Sequence, residues 1–159
     1  MKRAIQVILV VGAMVALASL LAWGAAVWFL GPYLIWAPEG IHTSAQAPEA
    51  VAVGDSLELT IRIRNDGPED RTLEAITLEL GLLKGFAVDA VEPPFESSEP
   101  ATDYRVYRFD QVVPAGGVTP IRFDLRAIEA GAFQGRVEVQ FVGESRISST
   151  TASTAVRSR

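Results

Sequence analysis

The chain of 159 residues contains no cysteine. This excludes disulfides, thiol nucleophiles, thiolate metal sites and a lipid-modified N-terminal cysteine, although exported domains also fold without disulfides. Histidine is almost as scarce, with His42 the single example. A zinc site needs two or three Cys or His ligands, and His42 has no second residue of either kind to join it. A Ser-His-Asp arrangement would have to use this same residue, in a segment that precedes the predicted core. Lysine is reduced to two residues against twelve arginines, which composition bias explains. Charge is also missing from one whole region, since no charged residue occurs from Ala4 to Pro38. All nineteen acidic residues and twelve of the fourteen basic ones lie at or beyond Glu39, giving that part a formal charge of −7. An acidic domain without a basic patch argues against nucleic acid, because binding phosphates needs Lys and Arg to displace counterions.

The uncharged region is apolar. Residues 4–31 read AIQVILVVGAMVALASLLAWGAAVWFLG. About 20 apolar residues span a bilayer core, whereas a secretory signal carries an apolar run of only about 7–15. The expected element is a single transmembrane α-helix. Gly31-Pro32 is a helix stop, since the residue before a proline is driven away from helical dihedrals. Trp23, Trp28, Tyr33 and Trp36 gather at the far end, as an interfacial belt does. Lys2 and Arg3 place residues 1–3 in the cytoplasm by the positive-inside bias, and everything after Pro38 outside it. The competing account is a cleaved signal with its site at Ala16-Leu17-Ala18. Cutting there leaves SLLAWGAAVWFL on the mature chain, which favours an uncleaved signal anchor. Gly12, Ala16, Ser19, Ala22 and Ala26 share a broad arc at about 100° per residue and are candidate helix-packing positions. Trp23 points into the same arc, so a passive anchor is the plainer account.

Residues 32–47 are expected to form a Pro, Ala and polar linker. Strands then dominate. In GDSLELTIRIRNDG, Leu57, Leu59, Ile61 and Ile63 alternate with Glu58, Thr60, Arg62 and Arg64, the period of a half-buried strand. Asn65 to Asp70 is a turn cluster. Further strands are expected over 73–80, with Ile76, Leu78 and Leu80 on one face, and over 86–91 and 104–109. Two more are expected over 119–127 and 133–142, with an edge strand around 147–155. Glu92 to Asp103 is expected to be the longest loop. Seven or eight short strands without a helical period predict an all-β antiparallel β-sandwich of immunoglobulin-like (Ig-like) type over residues 48–156, with 157–159 as a tail.

The G-D-x-hydrophobic alternation closing on N-D-G at Gly54 to Gly67 is followed by V-P-A-G-G entering a strand at Val113 and by A-G-x-F-x-G-x-V at Ala130 to Val137. Together they resemble the Ig-like domains of exported bacterial and archaeal proteins, such as the cell-adhesion-related domain found in bacteria. The resemblance covers about residues 48 to 145. It implies a module that binds, spaces or stiffens something outside the membrane, with no shared catalytic residues to carry over and no cofactor.

The candidate contacts are few. Phe95, Glu96 and Glu99 lie in the proline-stiffened acidic loop, where an apolar ring anchors a partner or folds back onto the sandwich. Tyr104 and Tyr107 fall on opposite faces of one strand, so at least one is expected to be exposed. Asp66, Glu69 and Asp70 share a turn but lack the spacing of a calcium loop. The sequence therefore predicts a non-enzymatic, single-pass protein whose extracytoplasmic domain recognises another membrane or surface protein. One alternative is an accessory subunit of a larger membrane complex, since archaellum stator proteins share the helix-plus-sandwich plan. Type IV pilins fit badly, because the early glutamate of their apolar helix is missing. A glycan is the alternative ligand, and carboxylates of the 92–103 loop are where an enzyme would have to find its site.

Overall fold

The computed structural model describes residues 38–158. The expected membrane helix at residues 4–31, with Gly12, Ala16, Ser19, Ala22 and Ala26, lies outside the described residues, as do residues 1–3. Among the described residues no helix is long and apolar enough to cross a membrane.

Ten strands and one helical turn follow in order: β1 (Ile41–Gln46), β2 (Ala50–Ala52), β3 (Ser56–Asn65), β4 (Arg71–Glu79), α1 (Leu80–Leu83), β5 (Phe86–Glu92), β6 (Ser97–Pro100), β7 (Tyr104–Val113), β8 (Val118–Ala127), β9 (Gly131–Phe141) and β10 (Ile147–Arg157). They make two sheets, one ordered β1-β3-β8-β5 and the other β2-β10-β9-β4-β7-β6. All neighbours are antiparallel except β2 and β10, which run parallel. The all-β sandwich expected from the alternation is present.

The alternation of β3 places Leu57, Leu59, Ile61 and Ile63 inward. Its neighbour β8 sets Leu125 opposite Leu57, Phe123 opposite Leu59 and Ile121 opposite Ile61. Cross-strand apolar pairs of this kind are the unit of sheet stabilisation. The other sheet answers with Leu73, Ile76, Leu78, Tyr107, Phe109, Val137, Val139 and Phe141, and the two inner faces form one core.

The structure departs from the sequence expectation in four places. The linker over 32–47 contains β1, whose polar residues give little alternation. Ile41 is its one fully buried side chain, and the strand is held by backbone pairing along the edge of β3. His42 therefore sits on a strand, beside Arg64. The 92–103 loop contains β6, a Ser-Ser-Glu-Pro segment fixed by backbone pairing to β7. In β4 a bulge between Leu73 and Ala75 resets the faces, so Ala75 and Ile76 are both buried and Leu80 leaves the sheet into α1. Finally β10 is not an edge strand. It runs to Arg157 between β9 and β2, and Thr154 donates its hydroxyl hydrogen to the Pro48 carbonyl.

Asn65 is fully buried at the end of β3. Its amide nitrogen donates to the carbonyls of Glu69 at 2.7 Å and Val113 at 3.2 Å, and its oxygen accepts from the Gly67 N–H at 3.0 Å. One side chain thus closes the β3–β4 turn and ties it to the end of β7. Removing a buried partner leaves the others unsatisfied, at about 1–3 kcal/mol. Asn65→Ala is expected to destabilise the domain by roughly this amount in chemical denaturation. Asn65→Asp is expected to be at least as damaging at neutral pH, because a carboxylate offers nothing to two carbonyls. Acidification restores one donor, so its deficit should shrink as the pH falls; a pH-independent deficit would contradict the hydrogen-bond account.

Candidate functional site

The sandwich is open along one side. β5 ends the first sheet, and the short β6 ends the second. Between the inner faces of β5 and β7, under α1, lies a groove of about 680 Å³. Phe86 and Val88 of β5 form one wall, Tyr107 and Arg105 of β7 the other, and Leu80, Leu83 and Lys84 the end. Leu80 stands at the rim, 41% exposed.

α1 is held in place at both ends. The Leu80 N–H donates to the Asp103 carbonyl at 2.8 Å, and the Lys84 N–H closes the turn on the Leu80 carbonyl at 2.8 Å. Leu82 and Leu83 are buried beneath it. Glycines let the turn seat closely. An added Cβ at Gly135 of β9 would lie 2.8 Å from the Leu82 Cβ and 3.0 Å from its backbone nitrogen. At Gly85 it would meet the Phe133 ring at 2.3 Å.

Tyr107 joins the groove to the core. Its ring makes edge contacts with Phe123 at 5.0 Å and Phe95 at 5.3 Å between centroids. Burial pushes the phenol pKa up, with the Arg105 charge opposing more weakly. The hydroxyl makes no hydrogen bond to any described residue.

Charge is distributed unevenly around this site. Most arginines have carboxylate partners: Arg64 with Asp66 at 2.5 Å, Arg122 with Glu92 at 3.0 Å, Arg126 with Asp89 at 3.1 Å, Arg108 with Glu74 at 3.5 Å, and Arg71 with Glu144. The Arg126 hydrogen bonds hold the Asp89 carboxyl below its usual range, as Arg64 does for Asp66. Among the described residues Arg62, Lys84, Arg105, Arg146 and Arg157 have no carboxylate partner, and of these Lys84 and Arg105 line the groove. Arg105 reaches only the Ser98 hydroxyl, at 3.4 Å.

The candidate contacts divide accordingly. Phe95 is 38% exposed but folds its ring onto Tyr107. Tyr107 is 2% exposed, with its ring packed against Phe95 and Phe123. Tyr104 is half-buried on the opposite face, across from Glu79. Glu96 is exposed with its backbone tied to the Arg108 carbonyl, and Glu99 lies 3.7 Å from Arg108 on the outer face. Of the five, only Tyr107 lines the groove and only Phe95 packs against it. Lys84 and Arg105 are not among the residues that the sequence pattern singles out. A signal for Arg105 exists, because it shares parity with the buried Tyr107 and Phe109 and so sits on the inner face of β7.

The other polar clusters are occupied internally. The His42 imidazole lies 3.3 Å from Asp66, where Arg64 already binds the same oxygen. Asp70 accepts the Ala115 N–H at 2.8 Å. Among the described residues no three His, Asp or Glu side chains group as a metal site requires.

Gly135→Ala is expected to displace α1 from β9, lower stability by about 1–3 kcal/mol and shift the Leu82 and Leu83 methyl resonances. Unchanged methyl positions would show that α1 does not depend on this approach. In an ultraviolet titration, Tyr107→Phe should remove a phenol that ionises above the ordinary tyrosine value of about 10. Because the folded pKa is the higher one, the contribution of the neutral phenol is complete below that ordinary value. It is lost as the pH rises through the folded pKa.

The sequence matches no protein-family model and no curated protein. Solved structures do match. AvmM, which catalyses macrocyclization in alchivemycin A biosynthesis, superposes with a TM-score of 0.51 at 9% identity, over 76% of this chain and 90% of that one. The sporulation control protein Spo0M of Bacillus subtilis gives 0.50 at 10% identity, over 77% of this chain and 51% of that one. The CARDB domain of a Pyrococcus furiosus protein gives 0.48 at 11% identity, over 77% of this chain and 93% of that one. The first two share the β-sandwich fold with this chain and differ in function from each other, so the fold selects no activity.

Proposed function

We propose that this chain is a membrane-anchored, extracytoplasmic module of Ig-like type that binds a protein partner through the open side of its sandwich and catalyses no reaction. The groove between β5 and β7 carries the proposal. It combines an apolar floor, the exposed rim residue Leu80 with the part-exposed Phe95 packed behind Tyr107, and two cations without a carboxylate partner among the described residues. Concave, mostly apolar sites with a few placed polar groups are where ligands are held, and an open groove of this kind admits side chains of a partner. The anchor rests on the apolar run 4–31, and the Ig-like assignment on an N-terminal segment divided between both sheets, β1 on β3 and β2 on β10.

The position of the groove supports this use. The chain enters β1 at Ile41, opposite Asn65, at the end of the first sheet where Arg64 faces Val118. The groove lies by Phe86, opposite Ala127, at the other end of β8. A partner thus reaches it at the end remote from the entry of the chain. A subunit role in a larger membrane complex is the same interaction made permanent. Glycan stacking is less well supported, since the Tyr107 ring is covered.

A photo-crosslinking residue placed at Leu80, and separately at Phe95, tests this in native membranes. Both positions are expected to capture the same protein species, which also co-migrates with the chain after gentle detergent extraction. A crosslinker at Val118, exposed at the opposite end of the outer sheet face, is expected to capture none. A lone monomer with no crosslink at Leu80 or Phe95 would overturn the proposal.

A further inference from the structure

We infer that the groove takes a peptide segment of the partner that presents a bulky apolar side chain beside a free carboxylate. This rests on the partner-binding reading and names the chemistry of the site. Three features lead to it.

The first is charge. The part of the chain beyond Pro38 carries a formal −7, so a carboxylate approaching most of its surface is repelled. Arg62, Arg146 and Arg157 also lack a described carboxylate partner, but Lys84 and Arg105 stand together at an apolar groove. They converge on one groove, neither is neutralised by a described carboxylate, and the Arg105 fork suits bidentate carboxylate binding.

The second is shape. About 680 Å³ between Phe86, Val88, Leu83 and Tyr107 accommodates one or two large apolar side chains, and the groove is open rather than closed over a chain. The Tyr107 hydroxyl makes no hydrogen bond to a described residue and burial keeps it protonated, so it offers a donor within the apolar wall.

The third is backbone. Among the described residues β5 has a neighbour only on its β8 side, so Phe86 to Val88 form a sheet edge along the groove. An extended peptide can pair with such an edge while alternate side chains enter the pocket. The bulge at Asp89 ends the regular edge and limits the pairing to a short segment. A free fatty acid would use the apolar floor and a cation but would leave this edge unused.

The test follows Leu80, Leu83 and Val88 methyl resonances of the full chain in detergent as N-acetyl-Leu-Phe is added with a free C-terminal carboxylate. Saturable shifts confined to these methyls are expected. The C-terminal amide of the same dipeptide should bind about tenfold more weakly, and the double variant Lys84→Gln, Arg105→Gln should abolish the difference between acid and amide. Arg62→Gln, an unpaired cation on the outer face, should leave it intact. Equal binding of acid and amide, shifts elsewhere, or none at all would overturn the carboxylate assignment. Dodecanoate binding tenfold more tightly than the dipeptide acid would assign the groove to free lipid acids instead. If any of these results appears while crosslinking at Leu80 persists, only the ligand chemistry fails. If the crosslinks are lost as well, the partner-binding function fails with it.

Discussion

The ladder between β3 and β8 is the constraint on which the remaining structure depends. Leu57–Leu125, Leu59–Phe123 and Ile61–Ile121 point to one side, while Glu58–Asp124, Thr60–Arg122 and Arg62–Pro120 point to the other. Because the side-chain period is two, a slip of one residue would turn every buried group outward. This fixes the register, and with it one continuous apolar face that two strands alone cannot cover. β4, β7 and β9 supply the opposing face, and Phe123 is where the two meet, its ring against Tyr107.

The groove arises from how the sandwich ends rather than from how it packs. Along β1 and β2 the N-terminal segment reaches both sheets, since β1 pairs with β3 and β2 with β10. Among the described residues the opposite side has no such strand. β5 is bulged at Asp89 and β6 spans four residues, so the two sheets stop without meeting. Phe95 covers part of the gap from the β5–β6 connection, and α1 covers one end by resting on Gly135. The uncovered remainder is the groove. These same features blunt the edges against pairing with stray chains.

Electrostatics separates scaffold from site. Exposed pairs such as Arg122–Glu92 and Arg126–Asp89 contribute little stability each, but they neutralise part of the outer face of the first sheet, where Arg62 has no carboxylate partner among the described residues. Lys84 and Arg105 are left outside that neutralisation. An unpaired cation on an inner strand face is costly to bury fully, and both escape that cost by standing at the mouth of the sandwich rather than within it.

The sequence by itself determined the fold class. Strict alternation in 56–65, 119–127 and 133–142, with turn residues between, leaves a two-sheet β-structure as the way to bury those faces. It also determined the absence of thiol chemistry and the turn at Asn65, although not the three hydrogen bonds of that side chain, two of which close the turn while the third reaches 48 residues along the chain to Val113. Local pattern did not reveal β1 and β6, because edge strands held by backbone pairing need few apolar residues of their own. The site was the least legible part. The loop around Phe95 is conspicuous in the sequence, yet the groove is lined by Lys84, Phe86, Val88 and Arg105, which are separated along the chain and brought together where β5 and β7 part. The burial of Tyr107 is set by Phe95 and Phe123 rather than by its own strand, so its place in the wall of the groove is not readable from the strand pattern. Alternation along a strand says which face a residue occupies. Whether that face is sealed or left open is decided by the strand that does or does not lie across from it.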